Sequence, residues 1–212
     1  MASEAGARRR RRRAFADDFV VGFEHREEAE CFLMELRERF ARFGLTLHPD
    51  KTRLIEFGRS AAGHRRDRGD GKPETFNFLG FTHACSQTRK GRFTVLRQTM
   101  RQRWQTKLRE VKAELRRRLH TPIPHQGAYL RSVIMGHTRY YGVPRHGPSI
   151  GAFHLALGRL WRATLRRRSQ NGFVSWARMR RLMARWVPRP RICHPYPNQR
   201  LAFVTQGRSR MR

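Results

Sequence analysis

Acidic residues are scarce in this 212-residue chain, and they stop early. Sixteen Asp and Glu stand against 47 Lys and Arg, a net charge of +31, and none of the sixteen lies after Glu114. Self-repulsion on that scale calls for a polyanion, and nucleic acid is the obvious one. Lysine is missing from the same stretch: residues 115–212 hold 21 Arg and no Lys. Arg makes planar, bidentate phosphate contacts and stacks on bases, which suits RNA, although G+C-rich codon usage also favours Arg. Cysteine is sparse too. Cys31, Cys85 and Cys193 sit far apart with no C-x-x-C spacing. That excludes a disulfide framework and a zinc finger, and fits a reducing cytoplasm. No apolar run approaches a membrane span and no apolar signal core follows the basic start, so a soluble, cytoplasmic protein without a membrane partner is expected.

What the chain does have is organised around Phe15-Ala16-Asp17-Asp18-Phe19-Val20-Val21-Gly22. Apolar flanks with an acidic pair at the tip read as a β-hairpin that presents both carboxylates at its turn. Adjacent desolvated carboxylates repel, so a buried pair needs cations, and Mg²⁺ is the natural partner in phosphoryl transfer. The plain alternative is a solvated Asp-Asp turn. Ahead of the hairpin, residues 1–14 end in six consecutive arginines, Arg8 to Arg13. Such a run repels itself and is expected to be disordered, either a non-native start or a basic arm for phosphates.

Residues 24–43 form an amphipathic helix by the spacing of Ala29, Phe32, Leu33, Leu36, Phe40 and Phe43, closed by Gly44. Alternation predicts strands at 45–47 and 53–57 around a His48–Lys51 turn, a Gly-rich loop over 60–73, and one strand over 75–81. Gly80 marks a bulge or a close backbone approach. From Thr94 the pattern turns helical and basic. Met100, Trp104, Leu108, Val111, Leu115 and Leu119 make one apolar stripe, which leaves Arg101, Arg103 and Lys107 on the faces open to RNA. Further helices are predicted at about 126–141, 150–168 and from a Ser175 N-cap through Trp186. Of Tyr140 and Tyr141, one is core and the other free to stack on a base, with Arg139 beside them the better RNA contact. His137 reads as a satisfied interior histidine, and His194 as structural. Arg166, Arg167 and Arg168, with no acid nearby, read as phosphate contacts. The composition divides the chain near Lys90, an α/β piece before it and basic helices after.

In order along the chain, these stretches resemble group II intron-encoded reverse transcriptases, the intron maturases. Phe15-Ala16-Asp17-Asp18 looks like the family's Tyr-Ala-Asp-Asp palm motif. Gly44 to Thr52 and Phe78-Leu79-Gly80-Phe81 look like the motifs that follow it. Leu130 to Tyr141 resembles the maturase (X) domain, and Arg166 to Gln170 and Ile192 to Pro197 match the ends usual in bacterial members. The resemblance implies an α+β chain: a partial palm over 15–90, a thumb-like long helix over 91–124, and a maturase domain with an irregular tail over 125–212. It implies that Asp17 and Asp18 are catalytic Mg²⁺ ligands, that Phe15 packs beneath the nucleotide or primer end, and that Lys51 lies near the primer terminus. The implied partners are structured group II intron RNA and an RNA/DNA hybrid, with a separate N-terminal half or a second copy completing the palm.

The first 14 residues match neither the family's fingers nor the strand bearing its first catalytic Asp, so no independent polymerase activity is expected. The expected function is intron-RNA binding in aid of splicing and mobility within an RNA-directed DNA polymerase family. The alternative is a non-catalytic RNA-binding module, or an inactive remnant with an exposed palm face.

Overall fold

A computed structural model describes residues 11–15, 18–169 and 172–195. They form an α+β chain of five strands and six helices, divided into two compact units, Met1–Glu74 and Thr75–Arg212.

In the first unit, β1 (Arg11–Phe15) and β2 (Asp18–Gly22) pair as an antiparallel hairpin, from Arg11 opposite Gly22 to Phe15 opposite Asp18. The last three arginines of the run therefore lie in a strand. Helix α1 (Arg26–Ala41) follows, with Glu27 and Glu28 in its first turn, where the helix dipole favours them. Gly44, at φ 66°, ends it: the Gly44 N–H reaches Ala41 O at 3.0 Å and the Leu45 N–H reaches Phe40 O at 2.9 Å. These two bonds satisfy carbonyls the last turn would leave open.

The apolar stripe of α1 finds little to cover it. Ala29 is its only buried residue, while Met34 is 57% exposed and Phe43 70%. The strands expected at 45–47 and 53–57 are irregular chain instead. Alternation makes a strand only where a neighbour completes the ladder, and among the described residues this unit's only sheet is the hairpin. The expected loop over 60–73 contains α2 (Ala61–Asp67), flanked by ion pairs. Arg68 pairs with Glu56 and, at 3.1 Å, with Asp70, while Arg53 meets Glu74 at 2.9 Å. Its Gly and charge content signalled a loop, and that content does not reveal such pairing.

The second unit opens on an antiparallel sheet in the order β3–β4–β5: Phe76–Phe78, Phe81–Gln87 and Phe93–Thr99. The single strand expected over 75–81 is thus a hairpin. Leu79 and Gly80, at φ 49° and 74°, form its two-residue loop, the primed turn that matches strand twist. A Cβ on Gly80 would sit 3.1 Å from Tyr141 Oη, so close approach is part of its role. Residues 94–99 are strand, not the start of a helix, because β4 offers them a ladder. The change of composition near Lys90 falls in the β4–β5 turn, and the division into units lies at Glu74/Thr75.

Four helices follow: α3 (Arg101–Arg117), α4 (Ile123–Tyr141), α5 (Gly147–Arg166) and α6 (Trp176–Trp186). Their stripes meet in one core of Val111, Leu115, Leu130, Ile134, Phe153, Leu157, Trp161 and Met179. The Ser175 side chain accepts from the Arg178 N–H, the N-cap the sequence predicted. Gly127 lets α6 approach α4: a Cβ there would fall 2.5 Å from Trp186 Cγ.

Candidate nucleic-acid interface

The acidic hairpin and the basic helices belong to different units and are taken separately. At the hairpin, Asp18 opens β2 opposite Phe15 and is exposed. Asp17 lies outside the described residues, and of Phe15 only the strand pairing is described. Among the described residues no three His, Cys, Asp or Glu gather to hold a metal ion. Lys51 is exposed in a turn closed by the Thr52 N–H to His48 O at 2.9 Å.

In the second unit, folding sorts the charges by face. The stripe of α3 turns Val111 and Leu115 inward and leaves Arg101, Arg103 and Lys107 exposed. Lys107 holds Glu110 at 2.9 Å, an exposed pair that water and salt weaken. Glu114 is held by Arg117 at 2.7 Å and Arg118 at 2.6 Å, and the Arg118 bond holds its carboxyl below the usual range. Both acids of this unit are thereby occupied on α3 itself.

At the end of α4, Arg139 is exposed, as expected. Tyr140 is 51% exposed and anchored at its hydroxyl end. Its hydroxyl donates to Leu79 O at 2.9 Å, and its ring lies 6.0 Å from Phe81 at 12°. It pins the β3–β4 turn, offsetting the left-handed backbone of Leu79, which costs about 1–2 kcal/mol. Tyr141 is half-buried, and burial pushes its hydroxyl pKa up.

His137 is interior but not satisfied. Its ring stacks 3.8 Å from Phe153, and its buried Nε2 has no hydrogen-bond partner. Burial, with His146 and Lys107 adding repulsion, lowers its pKa to about 4, so it is neutral at pH 7. His146, fully packed, donates from Nδ1 to Arg97 O at 2.8 Å and accepts from the Thr99 hydroxyl at 2.8 Å, tying β5 to the start of α5.

The Arg166–Arg168 run splits. Arg166 and Arg167 are exposed, whereas Arg168 folds back on α3. Its guanidinium donates to Leu119 O at 2.6 Å and to Thr121 O. Beside it, fully buried Gln126 donates to Arg118 O at 2.6 Å and accepts from Trp161 Nε1 at 2.8 Å. Together they hold the carbonyls of the turn between α3 and α4. Arg168 thus braces the turn that follows α3.

His194 is structural, as expected: its Nε2 donates to Arg139 O at 2.6 Å. The sequence placed α6 but did not single out its Arg178, Arg180, Arg181 and Arg185, which are all exposed. The period of Met179, Leu182, Met183 and Trp186 already implied that those four point away from the core.

Residues 9–83 match the family profile for reverse transcriptase (RNA-dependent DNA polymerase). The matched segment takes in the Asp17-Asp18 pair, α1, α2, β3 and the start of β4. No curated protein and no solved structure matches the chain. Among the described residues no helix is long and apolar enough to cross a membrane.

Proposed function

We propose that this chain is an RNA-binding protein of the group II intron maturase kind, derived from an RNA-directed DNA polymerase and acting on structured intron RNA in splicing and mobility. One observation carries the reading. From Thr75 onward the chain has 30 Lys and Arg against two acids, and both acids are already paired within α3. The apolar stripes of α3–α6 are spent on the core, which leaves exposed guanidinium groups on every helix. Such a surface binds a polyanion, and a reverse-transcriptase segment earlier in the same chain favours RNA over other polyanions.

The parent activity would place Mg²⁺ on Asp17 and Asp18, with Phe15 and Lys51 beside the primer and nucleotide. In this proposal those residues are inherited and RNA binding is retained without them.

Filter binding of the full chain to a group II intron RNA, beside an unrelated structured RNA of equal length, tests the proposal. Six or more phosphate contacts should lower affinity by about 10³–10⁵ between 50 and 200 mM salt. The intron should be preferred, and Asp17→Ala with Asp18→Ala should leave its affinity unchanged. Salt-independent binding, or equal affinity for the unrelated RNA, would refute it. Mg²⁺-dependent primer extension lost in the Asp17→Ala, Asp18→Ala variant would favour the polymerase reading instead.

A further inference from the structure

An open groove of about 430 Å³ lies where β5 runs into α3, bordered by the first turn of α5. Its lining is Gln98, Thr99, Arg101, Trp104, Pro148, Ser149 and Ala152. We infer that this groove takes one unpaired nucleotide of a bound RNA strand, its base against Trp104 and its phosphate on Arg101. The inference rests on the RNA-binding reading above and goes beyond it by naming a subsite for single-stranded RNA.

The chemistry of the lining divides in two. Trp104 is half-buried, its inner part against the core and the rest facing the groove, with Pro148 and Ala152 completing an apolar bed. Every base offers a π-face to an indole, so such a bed accepts any sequence. The rim is polar. Arg101 is exposed and makes none of the ion pairs seen in this unit, while Gln98 and Ser149 bring an amide and a hydroxyl. No acid lines the groove.

Arg101 also stands in the first turn of α3, which holds no acidic residue. A cation there opposes the helix dipole, and a phosphate would relieve that opposition. The volume lies within the range of small-ligand sites. A duplex keeps its bases stacked inside and cannot use the bed, so the groove should tell single strands from paired RNA.

The test uses the full chain with a fluorescein-labelled single-stranded RNA ten-mer of mixed sequence and a duplex of equal charge. Trp104→Ala should weaken binding of the single strand about 5- to 100-fold, the loss expected for one stacked base, and leave the duplex within twofold. Trp104 also touches the core, so Ala152→Phe, on the exposed face of α5, serves as a second variant that plugs the groove without entering the core. It should give the same selective loss, with unchanged circular dichroism. Single-strand affinity within twofold of the parent in Ala152→Phe would overturn the groove while leaving RNA binding by the helices intact. An equal loss for duplex and single strand would overturn it too. A parent chain that binds neither RNA fails the broader reading, a result distinct from both.

Discussion

Arg168 and its two neighbours look alike in sequence, yet the structure gives them opposite work, and substitution should separate them. Arg168 spans from the end of α5 to the carbonyls of Leu119 and Thr121, whereas Arg166 and Arg167 are exposed. A hydrogen bond from a charged donor contributes about 1.5–3 kcal/mol. Two factors reduce the total for Arg168: its side chain is half-exposed, and Gln126 Nε2 stands 3.4 Å from Leu119 O as a partial substitute. Arg168→Gln should therefore cost about 2 kcal/mol in all. For a unit of this size that is a fall in melting temperature of roughly 4–8 °C, with little change in the salt slope of RNA binding.

Arg166→Gln with Arg167→Gln should do the reverse. The melting temperature should hold within a degree or so, and the slope of log K against log salt should drop by about one per lost phosphate contact. Thermal unfolding by circular dichroism and filter binding over a salt series measure both quantities on the same preparations. If Arg168→Gln lowers the salt slope as the other pair does and leaves the melting temperature alone, the assignment of Arg168 as a brace for the turn after α3 is wrong.

Gln126→Leu strands the buried Trp161 N–H, while Arg118 O keeps its bonds from Thr121, and should cost about 1–3 kcal/mol in urea unfolding; a loss under about 0.5 kcal/mol would show the network is dispensable. Gly127→Ala forces a methyl into Trp186 and should destabilise by at least about 2 kcal/mol, with altered tryptophan fluorescence from a shifted α6. Acid should weaken the second unit through His137. Unfolded, the ring takes a proton near pH 6.5 and in the fold only near pH 4, so stability is full above 6.5 and is lost as pH falls from 6.5 to 4. The loss should reach about 2–3 kcal/mol, and His137→Phe should flatten that part of the pH–stability curve.

The helices were legible because period 3.6 survives in a basic sequence: α3 and α5 run within a few residues of their apolar stripes, and Ser175 and Gly44 mark the start of α6 and the end of α1. The strands were less so. Residues 45–47 and 53–57 alternate as well as β5 does, yet only β5 has β4 beside it to share hydrogen bonds, and no local pattern carries that information. The Leu79-Gly80 turn escaped notice because Leu is a poor residue for a left-handed position. What holds it there is Tyr140, 61 residues away. The same gap in range hid the difference between Arg167 and Arg168, which depends on where α3 ends in space. The composition signalled a polyanion partner, but not that Lys107 is paired or that Tyr140 is occupied.

The carbonyl of Gly142, just past α4, accepts from both the Cys193 and His194 N–H groups at 2.8 and 3.0 Å. Any Cβ at position 142 would collide with Thr138 O and crowd Arg191 O, so the glycine is what lets the two strands of chain cross. This clasp makes the Pro-rich segment around residue 191 part of the helical body. A truncation before His194 would strip the end of α4 of its cover, whereas a purification tag fused after Pro195 would leave the clasp closed.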